Sequence, residues 1–158
     1  MNKVFFRAED VPMPAWKGAA GIFVKKVLSK LGRKNWEVSV VFCSNRYIRS
    51  LNSRYRNMDE PTDVLSFPQT EAAFNAKGLP SGGPFLAGDI AVSLDALEEN
   101  TRFFNVSEDE ELRRLLIHGI LHLCGEAHDS NNKREPMLKT QEDILAALAG
   151  ERIQENAS

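Results

Sequence analysis

From Ala15 to Leu31 apolar residues recur at intervals of three and four, through Trp16, Ala19, Ala20, Phe23, Val24, Val27, Leu28 and Leu31. That spacing predicts an amphipathic helix, and Gly32 closes it. Its lysines, Lys17, Lys25, Lys26 and Lys30, read as a solvated face. Upstream, residues 3–8 (KVFFRA) form a short β-favouring run, separated from the helix by Pro12 and Pro14. Trp36 to Cys43 (WEVSVVFC) begins as alternating polar and apolar positions and ends as a continuous apolar run, which predicts a strand with one end deeply buried. Ser44 is a candidate N-cap for a helix that carries Tyr47, Ile48, Leu51 and Tyr55 at helical spacing.

Asn57 to Pro61 has turn composition, and Val64 to Phe67 reads as a short strand stopped by Pro68. Gln69 to Ala87 is rich in Gly and Pro and is expected to be a long, mobile connection. Residues 88–93 (GDIAVS) give another strand, and Asp95 to Phe104 a short helix. Ser107 and Glu110 then stand as a capping box before an acidic first turn, and from Leu115 to Cys124 the chain is apolar on all sides except at two histidines. This predicts a central, buried helix. Lys133 to Leu148 reads as a last amphipathic helix packed through Met137, Ile144, Leu145 and Leu148, and residues 149–158 are expected to fray. The order of elements predicts an α+β (α/β layered) fold, with one four-stranded sheet and the buried helix against it.

Composition narrows this only slightly. A length of 158 residues, 42% hydrophobic and 27% charged, fits one soluble globular domain over residues 1–158. Cys43 and Cys124 lie inside apolar segments and read as buried free thiols in a reducing compartment. No apolar run approaches the roughly 20 residues needed to span a bilayer, and the N-terminus has no signal-peptide core, so a cytoplasmic protein is expected. A net charge of -2 gives no global nucleic-acid signature. The most basic stretch is local, with Arg46, Arg49, Arg54 and Arg56 on the second helix and no acidic residue among them.

The chemistry concentrates in residues 118–129 (HGILHLCGEAHD), which hold all three histidines of the chain. His118 and His122 are one helical turn apart on the same face, and Gly125 can reverse the chain so that His128 returns toward them. Three neutral imidazoles without a fourth protein ligand describe a catalytic zinc site with an open position, although imidazole also suits nickel, copper and iron. Cys124 falls on another side of the helix and is excluded as a ligand. The spacing matches the zincin pattern H-E-x-x-H-x-x-G-x-x-H except that Gly119 replaces the glutamate that serves as general base.

The same stretch resembles the H-G-x-L-H-L-x-G-Y-D-H signature of the YbeY endoribonuclease family, with Glu126-Ala127 in place of the usual Tyr-Asp. Residues 55–68 (YRNMDEPTDVLSFP) resemble the family's Y-R-x-x-D-x-P-T-[DN]-V-L-S-F-P segment at every fixed position, and residues 88–93 its G-D-I-x-I-S element. The resemblance implies a mixed sheet of four strands with five or six helices, and a single-strand-specific endoribonuclease that uses zinc. It further implies a role in maturing the 3′ end of small-subunit ribosomal RNA and in ribosome quality control, with the small ribosomal subunit and its proteins as partners. Arg56 maps onto an arginine implicated in activity, and a guanidinium fork suits a phosphate. The expected site is therefore His118, His122 and His128 on the metal, with Arg56 on the substrate. Two other readings are a zincin-type peptidase or amide hydrolase, which lacks its base at Gly119, and a ribosome assembly factor in which the metal is mainly structural.

Overall fold

Alternation along the strands and three-to-four periodicity along the helices resolve, in the computed structural model, into nine elements among the described residues, 1–69 and 84–154. They are β1 (Lys3–Glu9), α1 (Lys17–Lys30), β2 (Trp36–Cys43), α2 (Asn45–Arg56), β3 (Val64–Pro68), β4 (Phe85–Ser93), α3 (Leu94–Phe104), α4 (Glu108–Leu123) and α5 (Pro136–Ala147). The sheet order is β1-β2-β4-β3. The first three of these run parallel, and β3 pairs antiparallel with β4 at one edge, so the sheet is mixed as expected. An edge position also accommodates Pro68, whose missing N–H interrupts no ladder.

Strand alternation sorts the core onto two faces. Phe6, Val38, Val40, Phe42, Ile90 and Val92 pack on one side with α1, α4 and α5, while Val41, Cys43 and Ala91 pack on the other with Ile48 of α2. Residues such as Phe42, Ile90, Leu116 and Ile120 are 0% exposed, and each contributes about 1.5–3 kcal/mol through burial. The continuous apolar end of β2 is buried at both faces because helices cover both.

Serine hydroxyls start three of the helices. Ser44, Ser93 and Ser107 each accept a backbone N–H three residues ahead, from Tyr47, Ala96 and Glu110. Only half of the expected capping box at Ser107 forms. The Glu110 carboxylate turns along the helix to Arg114, where it meets a charged partner in place of one backbone amide.

Several expectations are corrected. The tail does not fray as far as Gln154: Ile153 is 2% exposed in the core, and the backbone N–H groups of Ile153 and Gln154 both donate to Oδ1 of the buried Asp109 at 2.8 Å. An apolar side chain and a buried acceptor hold these residues, which helix periodicity cannot reveal. β4 begins at Phe85, three residues early, because it pairs with Trp36 of β2 through a register shift between Glu37 and Val38. Of the expected mobile connection, residues 70–83 lie outside the described residues. Cys43 is buried, whereas Cys124 is only half-buried, since it caps the end of α4.

Candidate metal centre

α4 carries the site because it lies against the sheet along most of its length, with Leu112, Leu115, Leu116, Ile117, Ile120, Leu121 and Leu123 buried. Gly119 makes that approach possible. A β-carbon there would come within 2.7 Å of Cγ2 and 3.1 Å of Cδ1 of Ile90, so the helix backbone rides directly on β4. Ser66 of β3 ties the same point, its buried hydroxyl donating to the Gly119 carbonyl at 2.9 Å.

The helix ends as the glycine predicts. Gly125 adopts φ +89°, its N–H donates to His122 O at 2.9 Å, and the N–H of Glu126 donates to Leu121 O at 3.1 Å. These two bonds form a Schellman motif, which satisfies the last carbonyls and folds the chain back over the helix end. The returning strand of backbone brings His128 to the first two histidines. The centroid of its ring lies 5.2 Å from that of His118 and 5.7 Å from that of His122.

Each imidazole is oriented by an acceptor at Nδ1. His118 meets Oε1 of Gln141 at 2.7 Å, His122 the carbonyl of Glu126 at 2.9 Å, and His128 the carbonyl of Ser130 at 2.9 Å. Carbonyl oxygens only accept, so Nδ1 carries the proton in all three rings and Nε2 presents a lone pair. Gln141 is held in that sense because its amide nitrogen donates to the Glu142 carboxylate at 3.1 Å. The Nε2 atoms of His118 and His122 consequently face each other at 3.0 Å with no proton between them. Two lone pairs so placed repel unless a cation lies between them. Tetrahedral zinc bonds of about 2.0–2.1 Å would set such nitrogens roughly 3.3 Å apart. The three histidines together offer ligand atoms within 4.8 Å of one another and can hold a metal ion.

Electrostatics favour the neutral forms, the ones able to bind a metal. Burial is the chief cause that lowers His118 below its ordinary value, against the opposing bond to Gln141. His122 is pushed down to about 4, again mainly by burial and then by His118, with smaller contributions from His128 and the charge of Arg56. An open cleft of about 970 Å³ gives access to the centre. His118 and His128 line it together with Asp63, Phe104, Arg114 and Gln141.

The fourth expected residue stands apart from the cleft lining. Arg56, at the exposed end of α2, donates from Nη2 to Ser66 O at 2.6 Å and lies 5.6 Å over the Phe67 ring. Ser66 thus binds Arg56 through its carbonyl and α4 through its hydroxyl, so a single residue of β3 links the arginine to the histidine-bearing helix. Half of the basic stretch of α2 is neutralised, since Arg46 pairs with Asp10 and Arg49 with Asp59.

The zincin comparison fails on geometry as well as residue type. Position 119 faces Ile90, so a glutamate there would enter the helix–sheet interface. The two carboxylates nearest His128 in sequence, Glu126 and Asp129, are not among the grouped metal-ligand atoms. Residue 126 contributes its carbonyl instead, a role independent of side-chain identity, which accommodates glutamate where tyrosine is usual. Gln141 and Ser66 were not anticipated from sequence. Gln141 carried a signal, as the polar residue four after Met137 and four before Leu145 on the buried stripe of the last helix.

A family model described as Endoribonuclease YbeY matches residues 6–149. The chain is 48% identical over 123 residues to Endoribonuclease YbeY of Treponema denticola, covering 78% of this chain and 77% of that protein. It is 43% identical over 146 residues to Endoribonuclease YbeY of Treponema pallidum, covering 92% and 89% respectively. Among solved structures, the solution structure of TM1509 from Thermotoga maritima aligns with a TM-score of 0.56 at 30% identity, over 94% of this chain and 90% of that one.

Proposed function

We propose that this chain, a member of the YbeY endoribonuclease family, is a metal-dependent endoribonuclease of ribosomal RNA processing in which one zinc ion sits on His118, His122 and His128 while Arg56 binds substrate phosphate. The supporting observation is the pair of facing Nε2 lone pairs at 3.0 Å, each fixed by an acceptor on the opposite ring nitrogen. Three imidazole donors favour zinc over hard, oxygen-seeking cations. When bound, such an ion supplies Lewis acidity toward water or a phosphoryl oxygen.

The protein's own groups do the rest. Gln141, Glu126 and Ser130 hold the three Nδ1 protons in place, so the rings need no reorientation to present their lone pairs. Arg56 spends one of its five N–H donors on Ser66 and keeps the others for a phosphate. Its position beside β3, one residue removed from α4, suits a phosphate of the RNA backbone close to the scissile one. Single-strand specificity, maturation of the small-subunit RNA 3′ end, association with the small ribosomal subunit and a cytoplasmic location are part of the same reading. Among the described residues no helix is long and apolar enough to cross a membrane.

Replacing His122 by Ala tests the assignment. Zinc content and cleavage of single-stranded RNA should fall together in the purified protein. Cleavage that persists in zinc-free His122→Ala protein would overturn it.

A further inference from the structure

We propose that Phe104, with Phe103 beside it, is the platform on which an unpaired base of the RNA substrate stacks, at the rim of the metal cleft. The inference rests on the RNA-cleaving reading above and assigns its preference for single strands to a residue. The two rings close the C-terminal end of α3, where Asn105 takes a left-handed φ of +54° and ends the helix. Phe103 is 82% exposed and Phe104 57%, and their rings meet edge to face at 4.9 Å. The buried residues of α3 are Ala96 and Leu97, so the core makes no use of these rings.

Location distinguishes the pair from a stray apolar surface. Phe104 lines the same cleft as His118 and His128. Around it the surface is polar: Arg102 pairs with Glu98, Asn45 binds Glu99, and Asn100 bridges Asp63 and Glu111. A standard protein interface buries about 800 Å² on each partner, whereas an aromatic side chain offers about 150–250 Å² in full. Two partly exposed rings in a polar surround are too small for that, but one ring face is enough for a base. Stacking on an aromatic is tolerant of base identity and requires the base to be out of a duplex, which gives selectivity for single strands without sequence readout.

The cleft can admit a polyanion. Four carboxylates line it, Asp63, Glu99, Glu111 and Glu142; Arg114 binds two of them, Glu111 and Glu142, and a divalent ion on the three histidines would offset two further negative charges. Lys133 adds a cation on the same wall.

The test uses the intact zinc-loaded protein and a short single-stranded RNA, with abasic versions that lack one base at successive positions. Phe104→Ala should raise KM roughly tenfold to a hundredfold, the loss of one stacked base, and Phe104→Tyr should restore it. At one position an abasic substrate should cost the unaltered protein the same factor and cost Phe104→Ala nothing more. An unchanged KM in Phe104→Ala, equal performance by Phe104→Leu, or an abasic penalty independent of residue 104 would each overturn the proposal. So would a fall in zinc content or melting temperature in Phe104→Ala, which would place the ring in the fold. A dimer lost on substitution while RNA binding stays intact would also overturn it, and would indicate a second copy of the chain as the occupant. Should the unaltered protein not cleave RNA, the functional reading fails; quenching of 2-aminopurine in single-stranded RNA still decides the platform, being expected with the unaltered protein and absent with Phe104→Ala.

Discussion

Gln141 accepts the Nδ1 proton of His118 across 2.7 Å, although the two residues are 23 positions apart and on different helices. The bond fixes the tautomer and the aim of the ring. Replacing Gln141 by Leu should therefore weaken zinc binding about 10- to 100-fold, while Gln141→Glu, still an acceptor, should retain most of it. Competition against a chromophoric chelator measures both. Equal affinity in Gln141→Leu would show that His118 needs no support from α5.

Gly119 and Ile90 are in contact at the limit of packing. Gly119→Ala gains about 1 kcal/mol of helix propensity but drives a β-carbon into a stiff, β-branched side chain in the central sheet. We expect a net loss of about 1–2 kcal/mol in denaturant unfolding, since overpacking of this kind costs about 1–3 kcal/mol or more. The penalty should shrink when Ile90→Ala is combined with it, and strictly additive effects in that cycle would argue against the clash.

Protonation should destabilise the chelated protein over an acidic window. His118 and His122 both titrate below the ordinary 6.5, and His122 at about 4, chiefly because burial disfavours the imidazolium. Between these values the unfolded chain binds more protons than the folded one, so stability is complete above about pH 6.5 and declines as pH falls toward 4. Melting temperature against pH reads this directly. The decline should be shallower in His122→Leu, and a flat profile for the chelated protein would contradict the burial argument.

Arg56 is exposed, so its removal should spare the fold while impairing cleavage. Arg56→Ala is expected to keep its zinc and to unfold within about 1 kcal/mol of the unaltered protein. Its cleavage rate should drop by about a hundredfold, the scale for losing one donor to developing phosphate charge. Lysine keeps the charge but not the fork, and should recover only part of the rate. Full activity in Arg56→Ala would remove it from the site.

Asp109 holds Arg113 with one carboxylate oxygen, Oδ2 to Nε at 2.8 Å, and the Ile153–Gln154 backbone with the other. Asp109→Ala leaves a buried guanidinium unpaired and should cost about 3–5 kcal/mol. Truncation after Ala149 should also destabilise the protein, through the loss of Ile153 from the core. A truncated chain that unfolds at the same denaturant concentration would show that the docked tail contributes nothing.

Local geometry accounts for what the sequence by itself determined. Strand propensity, helix periodicity and the flanking turn and capping residues placed every element among the described residues, within a few positions, and element order placed the histidine-bearing helix against the sheet. The convergence of the three histidines was legible for the same reason. Histidines at i and i+4 share a helix face whatever surrounds them, and a glycine three residues on permits the left-handed turn that returns the third.

Tertiary structure decided the relationships between distant segments. The approach of Ile90 explains Gly119, the partnership of Gln141 sets the tautomer of His118, Asp10 and Asp59 neutralise half the arginines of α2, and Asp109 captures a tail expected to fray. None of these follows from a periodic pattern. Each depends on which side chains meet once the layers have packed, and that is settled by the fit of surfaces far apart in the chain.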